Sequence, residues 1–151
     1  MVDKEIVIRP YAADDKSAVL GLIRLNTPKY FSPVEEQELE KYLENEIELY
    51  YVILLNEVVV GCGGINFEKD KSIGIISWDM IHPDYQGKTL GSKLLNYRLD
   101  RLKKENSIRK IIVRTSQLTN RFYEKNGFKL LEVVEDFWAK GYHLYKMEYS
   151  K

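Results

Sequence analysis

Between Ile73 and Lys104 the spacing of apolar residues changes from every second position to a 3.6-residue period. The change happens across one turn punctuated by Gly87 and Gly91. A strand that feeds a helix this directly restricts the chain to folds that mix the two elements. The strand reads as Ile73 to Ile81, with Ile75, Ser77, Asp79 and Ile81 on one face and Ile76, Trp78 and Met80 on the other. The helix reads as about Thr89 to Lys104, with Leu90, Leu94, Leu95, Leu99 and Leu102 forming its apolar stripe.

The rest of the chain alternates in the same way. Glu5 to Arg9 reads as a strand ended by Pro10, and Asp14 or Asp15 can cap a helix running to about Leu25. That helix sets Val19, Leu22, Ile23 and Leu25 on one face. A breaker-rich loop, Asn26 to Pro33, leads to a second helix from Val34 to about Glu46 with Leu39, Tyr42 and Leu43 at helical spacing. Tyr50 to Leu55 and Val58 to Phe67 read as strands joined by the polar turn Asn56-Glu57. Gly61, Gly63 and Gly64 suggest a bulge in the second of them. Ile108 to Thr115 reads as a buried strand, and Leu118 to Lys125 as a short helix stopped by Asn126-Gly127. Phe128 to Val134 and His143 to Tyr149 are the last strands, with Phe137 to Gly141 as their connection. The expected order is β-α-α-β-β-β-α-β-α-β-β.

Length and composition narrow the function classes. At 151 residues, with no repeat and no linker-like tract, residues 1–151 are expected to form one domain. Lys plus Arg and Asp plus Glu both number 23, so no basic excess points to nucleic acid or an anionic membrane surface. No stretch approaches the ~20 apolar residues of a membrane span, and the charged start resembles no signal peptide. The lone Cys62 cannot form an intramolecular disulfide and reads as a small core residue. The expected address is the cytoplasm. His82 and His143 are isolated, and no Cys/His/Asp spacing supports a metal site.

The chemistry concentrates in Ile81 to Leu95. A loop entering a helix N-terminus directs backbone N–H groups one way, and the helix dipole adds partial positive charge. Glycines there let the backbone approach a phosphate, and Lys88 and Lys93 add full charges, so a pyrophosphate would bind well. The phosphate-loop pattern G-x-x-x-x-G-K-[ST] is not met, because Gly87 and Gly91 lie too close together and Ser92 follows directly. The dinucleotide fingerprint G-x-G-x-x-G is absent as well.

This segment resembles the acetyl-CoA-binding motif of the GNAT (GCN5-related N-acetyltransferase) superfamily, whose core reads [Q/R]-x-x-G-x-[G/A]. Gln86 stands at its first position and Gly91 at its last, with Pro83, Tyr85 and Leu94-Leu95 matching the surroundings. One position departs: Thr89 replaces the middle glycine, and its β-branched side chain can crowd a pyrophosphate. A second stretch, Phe122-Tyr123-Glu124-Lys125-Asn126-Gly127-Phe128, is similar to the family's short helix ending in F-Y-E-K-x-G-F.

The resemblance implies an α/β, single-domain GNAT fold, a mixed sheet of about six to seven strands flanked by about four helices. It also implies an acetyl-CoA-dependent N-acetyltransferase acting on a primary amine of a small molecule or peptide. It assigns the pyrophosphate to Gln86, Gly87, Lys88, Thr89, Leu90, Gly91 and Ser92, and the pantetheine and thioester to the backbone of Met80 and Ile81. Asn120 is a further candidate near pantetheine, close to Ser116, where the family often has an asparagine. Tyr123 matches the family's general acid, a phenol protonated at neutral pH. Asp79, a carboxylate in an otherwise apolar strand, is the candidate base, with Glu35, Glu36 and Glu68 or a water-relayed path as alternatives. Aromatics on the Asn26-to-Pro33 loop and after Gly141 fall where the family lines its acceptor pocket. The family often forms homodimers. A catalytically silent, acyl-CoA-binding module is the alternative, separable from the enzyme by turnover.

Overall fold

The computed structural model describes residues 5–87 and 89–150, so the phosphate assignment of Lys88 lies outside the described residues. Among the described residues, seven strands and four α-helices follow one another in the order read from the sequence, with two short 3-10 turns added. The strands are β1 (Ile6–Pro10), β2 (Leu49–Leu55), β3 (Val58–Glu68), β4 (Ile73–Ile81), β5 (Lys110–Thr115), β6 (Phe128–Ala139) and β7 (Tyr142–Tyr149). The helices are α1 (Lys16–Leu25), α2 (Glu35–Asn45), α3 (Leu90–Lys103) and α4 (Asn120–Lys125). The strands form one sheet in the order β1-β2-β3-β4-β5-β7-β6. The β4–β5 pair is parallel and every other neighbouring pair antiparallel.

Helices cover both faces. On one, α3 and α4 bury Leu90, Leu94, Leu95, Leu99, Leu102 and Tyr123 against Ile53, Ile65, Ile76, Val113 and Met147. On the other, α1 and α2 bury Val19, Leu22, Ile23, Leu39, Tyr42 and Leu43 against Val52, Cys62 and Met80. Each fully buried aliphatic side chain of this kind contributes about 1.5–3 kcal/mol. Leu25 departs from the expected stripe: it is 55% exposed, and Leu20 is buried in its stead. No helix among the described residues is long and apolar enough to cross a membrane.

Local signals explain most boundaries. Asn56 and Glu57 both have positive φ, as a two-residue hairpin of the I′ kind requires. Asp15 begins α1 without bonding the helix; its carboxylate accepts from the Ala12 N–H at 2.8 Å and from the Arg9 guanidinium at 2.8 and 2.9 Å. The expected Phe137-to-Gly141 connection is shorter than the sequence suggests. β6 runs on to Ala139, and Lys140-Gly141 makes the turn with Gly141 at φ +84°.

Register shifts occur between β2 and β3, where β3 carries one extra residue between Val59 and Gly61 as its glycines suggested, and between β6 and β7. The two departures that shape the site lie along β4. The β4–β5 register ends at Ile76 opposite Val113, although β4 continues to Ile81 and β5 to Thr115, so the two strands part. β4 also carries one extra residue against β3: Ser77 pairs with Gly64 but Met80 pairs with Cys62. Trp78 sits in that bulge at φ +50°. The bulge corrects the expected alternation. Ser77 and Trp78 both face α2, where Ser77 bonds Asn66 and Trp78 packs on Tyr42. Asp79 is thereby turned to the α3 side.

Candidate active site

Where β4 and β5 part, a cavity of about 1140 Å³ opens through the sheet. One end is walled by Gln86, Gly87, Thr89, Gly91 and Ser92 at the start of α3, with Phe122 and Asn126 of the α4 region opposite. The first N–H-to-carbonyl bond of α3 runs from Lys93 to Thr89 at 3.0 Å. The N–H groups of the preceding turn have no partner within the helix and carry its positive dipole end. Gly91 matters here for its lack of a side chain: a Cβ would lie 3.2 and 3.3 Å from ring carbons of Phe122. Ser92 lines the same wall. Leu90 turns its side chain into the core at 2% exposure, which leaves its backbone as the only part that can face a phosphate.

The Gln86 side chain also has a structural task. Its Nε2 donates to Asn26 Oδ1 at 3.1 Å and to the Ile81 carbonyl at 3.2 Å, and its Oε1 accepts from the Tyr30 hydroxyl at 3.3 Å. Asn26 donates to the same Ile81 carbonyl at 3.2 Å, so the loop after α1 is tied to the end of β4. The sequence signal for this link was a buried asparagine closing α1, which pattern reading takes only as a breaker.

Thr89 is the N-cap of α3 and has φ +66°, in the left-handed region where a β-branched residue is strained. The position asks for glycine on backbone grounds alone. Thr89→Gly is therefore expected to stabilise the fold by up to ~1 kcal/mol after glycine's own entropy cost, a rise in melting temperature of about 2–4 °C. A melting temperature equal to or below that of the parent would show that the threonine is not strained.

At the centre of the cavity, Asp79 receives two donors. The Arg98 guanidinium forms an ion pair with its Oδ1, and the Tyr123 hydroxyl donates to its Oδ2 at 2.6 Å. Arg98 is 0% exposed and donates further to the carbonyls of Gly64 at 3.0 Å and Leu94 at 3.2 Å. Tyr123 is 5% exposed; burial first, and the charge and hydrogen bond of Asp79 next, hold its pKa well above the ordinary phenol value. At neutral pH it is a neutral donor. Sequence reading paired neither Arg98 with Asp79 nor Asp79 with Tyr123. The available signal was a charged residue inside an apolar stripe, four positions after Leu94 and three after Leu95.

The remaining candidates are spread along and outside this wall. Met80 and Ile81 line the cavity, and Ser116 does too, whereas Asn120, the first residue of α4, lies off its wall and bonds the Ser116 carbonyl through its N–H at 3.0 Å. Away from the α3 end Phe31, Tyr42, Trp78 and Tyr142 line the cavity, with Phe31 stacked on Trp78 at 6.2 Å, while Tyr30 lines it beside Gln86. Tyr11 and Tyr145 are not on that wall. Glu35 lines it, is buried, accepts from the Ser32 N–H at 2.7 Å, and has its pKa raised by burial. Glu36 pairs with Arg24 at 2.8 Å, and Glu68 lies 3.8 Å from Arg114. Cys62 is fully buried and its thiol is pushed up to about 12 by burial, so it is no nucleophile. His82 and His143 each accept a backbone N–H through Nδ1.

The sequence model of the Acetyltransferase (GNAT) family matches residues 18–128, which span both ends of this cavity. The chain belongs to the GNAT acetyltransferase family. Among curated GNAT relatives, the amino-acid acetyltransferase of Pasteurella multocida is 29% identical over 133 residues, 85% of this chain. The chain spans only 28% of that relative's length. Among solved structures, the ribosomal-protein-S18-alanine N-acetyltransferase of Escherichia coli has the same fold at a TM-score of 0.78 and 17% identity, covering 95% of this chain and 92% of that one. An aminoglycoside 6′-N-acetyltransferase solved with coenzyme A gives 0.76 and 15%, covering 94% and 95%.

Proposed function

We propose that this GNAT domain transfers the acetyl group of acetyl-CoA to a primary amine of a small molecule or peptide, by direct attack in a ternary complex. The observation that carries the reading is the cavity through the sheet, with a glycine-lined helix N-terminus at one end, a buried phenol at its centre and aromatic walls at the other. The dipole end of α3 suits the pyrophosphate, and the space kept clear by Gly91 lets it approach the backbone. The parted edge of β4 at Met80 and Ile81 suits the pantetheine and thioester. The aromatic end suits the acceptor. The acetyltransferase relatives and the coenzyme A complex support the same assignment.

In this reading the neutral amine attacks the acetyl carbonyl carbon, and the C–N bond forms as a tetrahedral oxyanion. The C–S bond then breaks, the thiolate takes the proton of Tyr123, and the new amide nitrogen loses its extra proton to water, which returns a proton to the Tyr123 phenolate. Holding both substrates in one cavity supplies the orientation that a reaction between two free molecules lacks. Asp79 has Arg98 on one oxygen and Tyr123 on the other, so it is assigned to holding Tyr123 rather than to deprotonating the amine. A buried, unreactive cysteine accords with a cytoplasmic setting.

Titration calorimetry with acetyl-CoA, with ATP as the control ligand, is expected to show micromolar binding of acetyl-CoA alone, on the order of −8 kcal/mol. Turnover is then expected with at least one member of an amine panel. Binding without any turnover would favour the silent acyl-CoA module, which the strained Thr89 already favours; preferential ATP binding would overturn both.

A further inference from the structure

Burying an ion pair is seldom more stabilising than burying apolar groups of the same size. A leucine at position 98 would have continued the stripe of Leu94, Leu95, Leu99 and Leu102, so packing alone does not call for an arginine there. Three local features nevertheless make room for the pair. Gly63 has no side chain where a Cβ would lie 2.7 Å from Arg98 Nη1 and 2.9 Å from its Cζ. The bulge at Trp78 turns Asp79 from the α2 face to the α3 face. Arg98 is held by two carbonyls, one from β3 and one from its own helix. All three converge on the carboxylate that accepts the Tyr123 hydroxyl, and Arg98, Asp79 and Tyr123 all line the cavity.

We propose that Arg98 is a positioning residue for acetyl transfer, balancing the charge of Asp79 so that Tyr123 is both aimed and able to release its proton. This rests on the reading of Tyr123 as the proton donor to the thiolate. When that proton leaves, a phenolate stands beside a carboxylate in a buried site. With Arg98 present the three groups go from net zero to one negative charge. Without it they would go from one to two, and Asp79 would hold the phenol proton in place. The positive charge at position 98 is thus set against the step rather than against substrate binding.

The test is a kinetic series on the intact protein with acetyl-CoA and the amine that gives turnover, each variant first checked by thermal melting. Arg98→Gln keeps a hydrogen-bonding side chain without the charge. It is expected to lower kcat by on the order of 10- to 100-fold while KM for acetyl-CoA changes less than about threefold. Arg98→Lys disturbs the packing as much but keeps the charge, and is expected to retain kcat within about fivefold. Should Arg98→Gln fail to fold, the double variant Arg98→Met with Asp79→Asn removes both charges at once. It restores the neutral balance and is expected to turn over faster than Tyr123→Phe, because no unbalanced carboxylate then holds the phenol proton. Parent-like turnover in Arg98→Gln, a loss in Arg98→Lys as large as in Arg98→Gln, or a double variant as slow as Tyr123→Phe would each overturn the assignment. If Tyr123→Phe itself leaves kcat unchanged, the reading of Tyr123 falls and this assignment with it. A rate that depends on Tyr123 but ignores the charge at position 98 overturns this assignment alone.

Discussion

Gly91→Glu is expected to lower acetyl-CoA affinity by at least 100-fold, below detection in a calorimetric titration, while the protein remains folded. A Cβ at this position already meets the Phe122 ring at 3.2 and 3.3 Å, closer than ordinary packing. The rest of a glutamate side chain must therefore turn into the cavity, where it takes the space proposed for the pyrophosphate. Its negative charge would then sit at the positive end of α3, at the place where the phosphates gain from the helix dipole and the free N–H groups. Steric exclusion and repulsion act in the same direction on binding. On folding they oppose each other, since a carboxylate in the first turn of a helix is mildly stabilising. A melting temperature within a few degrees of the parent, with binding lost, is the expected pair of results. Retained affinity would place the phosphates somewhere other than the start of α3.

How much of this was legible in the sequence depends on whether a signal is local. The element order, the exact span of β4 and the stripe of α3 follow from periodicity, which is a property of neighbouring residues. The I′ turn at Asn56-Glu57 and the stop at Gly127, φ +99°, follow from turn and cap chemistry. What escaped was set by pairing between distant strands. The bulge at Trp78 exists because β3 and β4 differ by one residue between Gly61 and Gly64, and nothing in the run Ile-Ile-Ser-Trp-Asp-Met announces it. Strict alternation therefore put Asp79 with Ser77, and the face that matters was misread. Arg98 escaped for a related reason: its partner is 19 positions away on another element, so the arginine looks like an interruption of the stripe. The glycine-punctuated turn into α3 and the Phe122-Tyr123 helix, by contrast, were legible because each is one contiguous segment.

Tyr123→Phe removes one oxygen from a buried site and is expected to cost about 100-fold or more in kcat, with acetyl-CoA affinity nearly unchanged. The phenyl ring packs against Phe122 at 5.0 Å and Phe128 at 5.6 Å, and phenylalanine keeps both contacts. The lost group is the hydroxyl that donates to Asp79 Oδ2, so stability should fall by about 1–3 kcal/mol as the carboxylate loses a partner. The pH dependence provides a separate check with a fixed sign. Asp79 from β4 and Arg98 from α3 are the charged groups acting on this phenol. Burial and the carboxylate raise its pKa, against the smaller opposing effect of the guanidinium. An acid is competent only below its own pKa, so activity carried by Tyr123 must hold through pH ~10, where an unperturbed phenol would be half ionised. The parent protein is thus expected to show no alkaline decline in kcat up to that pH. An alkaline limb in kcat well below pH ~10 would assign the acid to another group, and so would a Tyr123→Phe variant that turns over at the parent rate. If kcat falls and the plateau holds, the thiolate takes its proton from Tyr123, and Asp79 and Arg98 become the next residues to vary.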